Sequence, residues 1–432
     1  MTNSAWTWHR PGLRVIAATI AATLLAAACG SGGGASSPGV TSTSITIGST
    51  QPLTGPAAPG YSEIAPASNA YFQWVNDHGG VDGRKIVYKY LDDGYNPANT
   101  TSKTRQLVLQ DKVFALFSAL GTPTHLAVVD YVNSHDVPDI FVSSGCNCWN
   151  DPSKYPETFG WQTDYTIEGK ILGQYLAKQF PGKKFGYFVQ NDEFGQDGIK
   201  GLDQEIQGSQ VVSRQTYDPT NTDVTPQVSA LQSAGADVVV CFCIPAFTTL
   251  YMLTAAKLGY QAQLAVSNVG SDLTTLTGLL KTYSKGAVGP SLLNGLISDA
   301  YLPPPTDSSD PWIQLFDKIR KKYTPKLPMD GNVEYGMAEA YAFVQALQAA
   351  GKDPTRDSLV SAIEAGKLTP GAGLTPYGYS SDSHLGFLGV QIDQIANGQV
   401  QLIGSVQTSS DTGAIKPYSA TPETPPPNGI PS

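Results

Sequence analysis

The residues Ser44-Ile45-Thr46-Ile47-Gly48 alternate in polarity as a β-strand does, and Gln51-Pro52-Leu53-Thr54-Gly55-Pro56 follows directly with turn-forming chemistry. A helical period over 65–77 comes next, so this region opens a βα unit. Working outward, short apolar strands are predicted at 85–91, 113–117, 138–142, 184–189, 236–242 and 263–267. Between them lie helical periods at 101–110, 125–134, 169–180, 224–234 and 247–258. Strands joined by helical crossovers make parallel, doubly wound sheets, so the fold class is α/β. Ligands of such sheets sit beyond the C-terminal ends of the strands. Later in the chain, an Ala-rich helix over 334–350 is closed by Gly351, and residues 386–393 and 399–405 form a strand pair across Asn397-Gly398.

The 432 residues suffice for two lobes of ordinary size, and charged residues make up only 15%. A net charge of −9 with no basic stripe excludes a nucleic-acid partner, because phosphate contacts need clustered Lys and Arg. Near the N-terminus, His9, Arg10 and Arg14 precede an apolar run from Val15 to Ala28, the layout of an export signal and too short to span a bilayer comfortably. Its end, Ala26-Ala27-Ala28-Cys29-Gly30, resembles a bacterial lipobox, with Leu25 one place further from Cys29 than the usual pattern. The expectation is a signal peptide over 1–28 and a diacylglycerol anchor on Cys29. A flexible Gly/Ser spacer over 29–43 then holds the folded part away from the membrane. At the other end, residues 408–432, with Pro425-Pro426-Pro427, read as a disordered tail.

Four stretches together resemble the type I periplasmic binding proteins of the branched-chain amino acid (Leu/Ile/Val) importer family. They are Pro52-Leu53-Thr54-Gly55-Pro56-Ala57-Ala58 with Gly60-Tyr61; Val75 to Gly83 with Asp92-Asp93 and Pro97; Ser118 to Thr122 with His135 to Ile140; and Gln190 to Gly198. The likeness runs from about Ser44 to Ser405. It implies two doubly wound lobes joined by a three-crossing hinge, a Venus flytrap. Lobe one takes 44–164 plus 292–367, and lobe two takes 165–291 plus 368–407.

The resemblance also implies that backbone amides and hydroxyls hold a ligand carboxylate at Gly121, Thr122, Ser144, Gly145 and Cys146. Successive N–H groups at loop-to-helix junctions form such an anion cradle without Lys or Arg. Phe194 matches a pocket aromatic on the facing lobe, and Tyr61 and Trp149 lie near predicted strand ends where they could cover a ligand, Trp149 having ordinary packing as its second reading. Amino-acid binders of the family neutralise the ammonium with an acidic residue in the segment matching Ser267 to Ser271, where this chain offers Asn268. A buried ammonium without a carboxylate costs several kcal/mol, so either Asp164, at the first hinge crossing, or Asp272 compensates, or the solute is an amide, a urea-like compound or an aromatic acid. Asp164 has a second reading, tying off backbone amides.

Apart from Cys29, the cysteines form two C-x-C pairs, Cys146/Cys148 and Cys241/Cys243. A bridge across the lobes would hinder opening, which leaves local bridges or free thiols; two local disulfides are expected, and a zinc site is disfavoured because C-x-x-C is its commoner spacing. The sequence holds no G-x-S-x-G, H-E-x-x-H, phosphate loop or dinucleotide fingerprint, and its histidines are scattered, His125 reading as a solvated or capping residue. No cofactor and no catalysis are expected. The function implied is a monomeric, lipid-anchored solute-binding subunit on the outer face of the cell membrane, delivering to an ABC permease and ATPase. A sensory module for a membrane receptor uses the same fold, and an exported hydrolase is the rival from another class.

Overall fold

The structure, a computed structural model, describes residues 37–419 and 423–431. The signal peptide over 1–28, Cys29 and the spacer up to residue 36 lie outside the described residues. The spacer's last part is ordered: Val40 bridges Ile45, and the Thr46 N–H donates to the Gly39 carbonyl at 2.8 Å.

Among the described residues, thirteen strands form two sheets. The first contains β1 (Ser44–Gln51), β2 (Lys85–Asp92), β3 (Leu116–Phe117), β4 (Asp139–Val142) and β5 (Thr158–Gly160), all parallel, in the order β2-β1-β3-β4-β5. The second contains β6 (Phe185–Gln190), β7 (Val211–Tyr217), β8 (Val238–Phe242), β9 (Gln263–Val266), β10 (Ile297–Ala300), β11 (Gly389–Ala396), β12 (Gln399–Thr408) and β13 (Lys416–Pro417). Its order is β13-β12-β11-β10-β9-β8-β6-β7, parallel from β7 to β10 and antiparallel beyond. Strands β6 and β8 are buried along their whole length, as expected where helices cover both faces of a parallel sheet. Strand β7 is an edge strand with Arg214 and Thr216 facing water, and that mixed pattern hides it from a search for apolar runs.

Over the first sheet pack the helices Ile64–Asp77 and Gly331–Ala349. Phe72 and Phe343 meet Phe117 there with ring centroids 5.3 and 4.9 Å apart. On the second sheet, the helices Tyr165–Gln179 and Glu193–Glu205 cross so closely that a Cβ at Gly201 would stand 2.2 Å from the Thr166 carbonyl oxygen. The disulfides are local, Cys146–Cys148 and Cys241–Cys243, with Cα atoms 5.1 and 5.4 Å apart.

Three expectations need correction. Strand β10 pairs with β9 and β11, so the segment assigned to lobe one from residue 292 belongs to the second sheet as far as Ala300. The tail over 408–432 is not disordered where described: β13 extends the second sheet, and residues 423–431 form a strap on the first lobe. Trp312 Nε1 donates to the Glu423 carbonyl at 2.8 Å, Trp74 Nε1 to Asn428 at 2.9 Å and the Tyr71 hydroxyl to Gly429 at 2.8 Å. An extended Pro-rich backbone needs no core of its own when its carbonyls satisfy buried donors of a neighbour. Finally, His125 is neither solvated nor a cap, being buried with Nε2 2.6 Å from Asp139 Oδ2.

Candidate functional site

A cavity of about 180 Å³ lies where the C-terminal ends of both sheets face each other. The first lobe contributes Gly121 and Thr122 after β3, Ser143 after β4, and Tyr61, Tyr95, Asn332 and Glu334 from flanking segments. From the second come Phe194 after β6, Ile244 after β8, Asn268 after β9, and Asp299 and Tyr301 at the end of β10. Gly121 needs its glycine: its φ is +105°, and a Cβ there would stand 2.5 Å from both the Tyr95 ring and Thr124 Oγ1. Next to it, Thr122 opens a short helix and its hydroxyl lies 2.7 Å from that of Ser144.

The lobes are closed on each other. Across the cleft, the Tyr61 hydroxyl donates to the Val269 carbonyl at 2.6 Å, and the Gly331 N–H donates to Asp272 Oδ2 at 3.0 Å. Asn332 Nδ2 donates to Thr275 Oγ1 at 3.1 Å, Gln190 Nε2 to the Tyr95 hydroxyl at 3.2 Å, and the Asn147 N–H to Asp197 Oδ2 at 2.9 Å. These contacts shut the cavity between two bodies that share few chain connections.

Charge at the site is acidic. Asp272, Asp299, Glu334 and Asp393 line the cavity, and among its described lining residues there is no Lys, Arg or His. Beneath Asn268, Glu168 is held up to about 7 by burial, and burial raises Asp299 well above the usual carboxylate range. Burial alone lifts Asp393 to about 7. Among the described residues no cluster of His, Cys, Asp and Glu is arranged to hold a metal ion.

Of the residues singled out in the sequence, Tyr61, Gly121, Thr122, Phe194, Asn268 and Asp272 reach the cavity. Ser144 stands behind Thr122, while the Gly145 carbonyl accepts the Tyr165 N–H at 2.7 Å. Cys146 is buried among Val129, Val142, Trp149 and Tyr155. Trp149 packs edge-on to His125 with its indole N–H on the Ser144 carbonyl at 3.0 Å. Asp164 caps the helix Tyr165–Gln179, accepting from the Thr166 and Ile167 N–H groups at 2.7 and 3.1 Å, and so ties off backbone amides. Burial first, then the neighbouring Asp411 and Asp197, push its carboxyl up to about 8. Sequence reasoning missed Tyr95, Glu168, Asp299 and Tyr301. The one available signal was a charge on the buried period of a helix, Glu168 beside Ile167 and Ile171.

Residues 44–399 match the family model described as periplasmic binding protein. A Leu/Ile/Val-binding protein homolog 8 of Brucella melitensis biotype 1 is 24% identical over 346 residues, covering 77% of this chain and 83% of that protein. Among solved structures, a branched chain amino acid ABC transporter protein from Thermus thermophilus with bound valine superposes with a TM-score of 0.75 at 21% identity, covering 86% of this chain and 98% of the other. A fatty acid ABC transporter substrate-binding protein from Thermomonospora curvata gives 0.73 at 23% identity, with 87% and 95% covered. At those identities the structural likeness speaks for the fold.

Proposed function

The chain belongs to the periplasmic binding protein family, and from that premise we propose that it captures a small polar or amino-acid-like solute in the interlobe cavity and delivers it to an ABC permease and its ATPase. The observation that carries this reading is a cavity walled by both lobes and shut by hydrogen bonds that run between them, above all Tyr61 to Val269. Such a trap works as a population shift: solute that touches both lobes favours the closed form, and a membrane partner reads closure. The carboxylate end of a solute would sit at Gly121 and Thr122, with Phe194 and Tyr61 against its apolar part. Export and anchoring would follow from cleavage before Cys29 and acylation of its thiol, which places a monomer on the outer face of the cell membrane.

Two measurements test the proposal. Thermal unfolding of the non-acylated domain is followed against amino acids, amides, urea, polyols and aromatic acids. A selective stabiliser at 100 times its Kd raises stability by about 2.7 kcal/mol, and the absence of any shift across the panel would refute a small-solute trap. For the anchor, Cys29→Ser is expected to move the protein from the membrane fraction into the medium, and an unchanged distribution would contradict acylation.

A further inference from the structure

The two disulfides have no part in the solute trap, and they stand in different surroundings. Cys241 and Cys243, at the end of β8, are both 0% exposed, and Cys243 Sγ lies 3.3 Å from the Phe188 carbonyl oxygen. Cys146 is buried as well, but Cys148 is only partly so, at the edge of the cluster around Trp149. A reagent in solvent therefore meets the first bridge in the folded protein and the second only after the lobe has opened.

The Cys146–Cys148 bridge closes a ring around Asn147, and Asn147 directs all three of its N–H groups at carboxyls of the second lobe. Its backbone N–H donates to Asp197 Oδ2 at 2.9 Å, and its side-chain amide to Asp164 Oδ2 at 2.8 Å and Asp411 Oδ2 at 2.6 Å. The three acceptors come from separate places: Asp164 caps the helix Tyr165–Gln179, Asp197 lies in the helix Glu193–Glu205, and Asp411 follows β12. That side of the contact is held firmly. Asp164 is fixed by the two N–H groups it caps, and the Lys170 ammonium donates to the carbonyls of Ser410, at 3.3 Å, and Gly413, which pins the turn carrying Asp411. Burial lifts Asp197 to about 6, and the Asn147 N–H opposes that rise, as a donor to an ionised carboxylate does. On the first lobe, Asn147 is posed by the short turn Asn147–Trp149 and by the bridge beside it.

We propose that Cys146–Cys148 is a thiol–disulfide exchange site, and that its oxidation state sets how firmly the two lobes close by fixing or freeing Asn147. The reductant is a dithiol, on a small molecule or a protein. One of its thiolates attacks Cys148 Sγ; the bridge breaks, and the electron pair leaves on Cys146 Sγ, which takes up a proton. The second thiolate of the dithiol then attacks its own sulfur in the mixed disulfide, Cys148 leaves as a thiolate and is protonated, and the dithiol departs as a disulfide. Two electrons and two protons have passed to the protein. With the ring open, residues 146–148 regain backbone freedom, and ordering Asn147 against the three carboxyls costs more. Asn147 is thus a positioning residue for closure, and reoxidation restores the latch.

The test needs no solute, so its failure is distinct from failure of the solute trap. Gly331 opens the helix Gly331–Ala349, where its N–H has no intrahelical acceptor and donates across the cleft to Asp272 Oδ2. Its hydrogen exchange therefore reports opening of the lobes on elements that do not carry the cysteines. The Cys29→Ser protein is treated with dithiothreitol at neutral pH; one portion is alkylated with iodoacetamide and mapped by mass spectrometry, and another is exchanged in deuterium oxide. Cys146 and Cys148 are expected to be alkylated while Cys241 and Cys243 are not. Exchange at Gly331 is expected to quicken at least about 10-fold, what one hydrogen bond to a charged group is worth, and to slow again on reoxidation, with the amides of β1 unchanged. Asn147→Ala with the bridge intact should quicken Gly331 likewise. A bridge that resists dithiothreitol in the folded protein, a Gly331 amide unprotected when oxidised or indifferent to reduction, or a rise shared by β1 would overturn the proposal. Reduction that acts where Asn147→Ala does not would overturn the route through Asn147. Should Asn147→Ala fail to fold, reduction and reoxidation of the Cys29→Ser protein still decide whether the bridge governs closure.

Discussion

Tyr61→Phe isolates the energy of closure. The ring stays, buried at the mouth of the cavity, and only the hydroxyl that donates to the Val269 carbonyl at 2.6 Å is removed. That bond exists only when the lobes meet, since Tyr61 belongs to the first and Val269 to the second. In the open form both groups are free to bond water, so the net loss is that of an ordinary intramolecular hydrogen bond, about 0.5–1.5 kcal/mol. Because solute binding is linked to closure, the closed-to-open ratio and the apparent affinity should fall about 2- to 13-fold. Titration calorimetry with the stabilising solute reads the affinity, and small-angle scattering of the unliganded variant reads the open population. Unchanged affinity in a folded variant would refute the claim that this contact holds the trap shut. A loss beyond about 100-fold would refute it differently, by making the hydroxyl a solute contact.

Four further outcomes follow from other parts of the molecule. Arg356 donates to the carbonyls of Phe114 at 3.0 Å, Val113 at 2.8 Å and Asp136 at 2.9 Å, so Arg356→Ala should cost about 2–4 kcal/mol in chemical denaturation and leave solute affinity unchanged. Gly201→Ala forces apart the two crossing helices of the second lobe and should destabilise by about 1–3 kcal/mol, with a Tm fall as the readout. Truncation before Glu423 strips the carbonyl partners from Trp74, Trp312 and Tyr71 and should lower Tm and increase solvent quenching of tryptophan fluorescence. Asp393 has an ordinary carboxyl pKa near 3.8 in the unfolded chain and about 7 when folded, raised by burial. Its folded form favours the proton, so its stabilisation is full below the unfolded value and lost as pH rises through about 7. Asp393→Asn should therefore unfold at higher temperature than wild type at pH 8 and show a flatter Tm profile between pH 5 and 8.

Much of the fold was legible because its signals are local. Strands buried on both faces, such as Val238–Phe242, read as apolar runs, and the helices between them keep their period. Elements that escaped had mixed faces or few residues: β7 with its polar edge, β5 with three residues and β10 with four. The candidate site was legible only where backbone chemistry marks it, as at Gly121-Thr122, where the chain turns sharply into a helix. Glu168 and Asp299 are 131 positions apart and neither sits in a motif, so nothing along the chain joins them.

By itself, then, the sequence determined the alternation of strand and helix and the two local cysteine pairs, since each depends on neighbours within a few positions. Only the tertiary structure decided that Asp164 and Ser144 stand outside the cavity, that the Pro-rich tail straps the first lobe, and that Asn268 gathers two carboxyls from different elements. Those outcomes depend on which strand ends face each other across the hinge and on which buried donors lack a partner. Neither is a property of any one segment, because burial and hydrogen-bond satisfaction are settled only when the lobes pack and close.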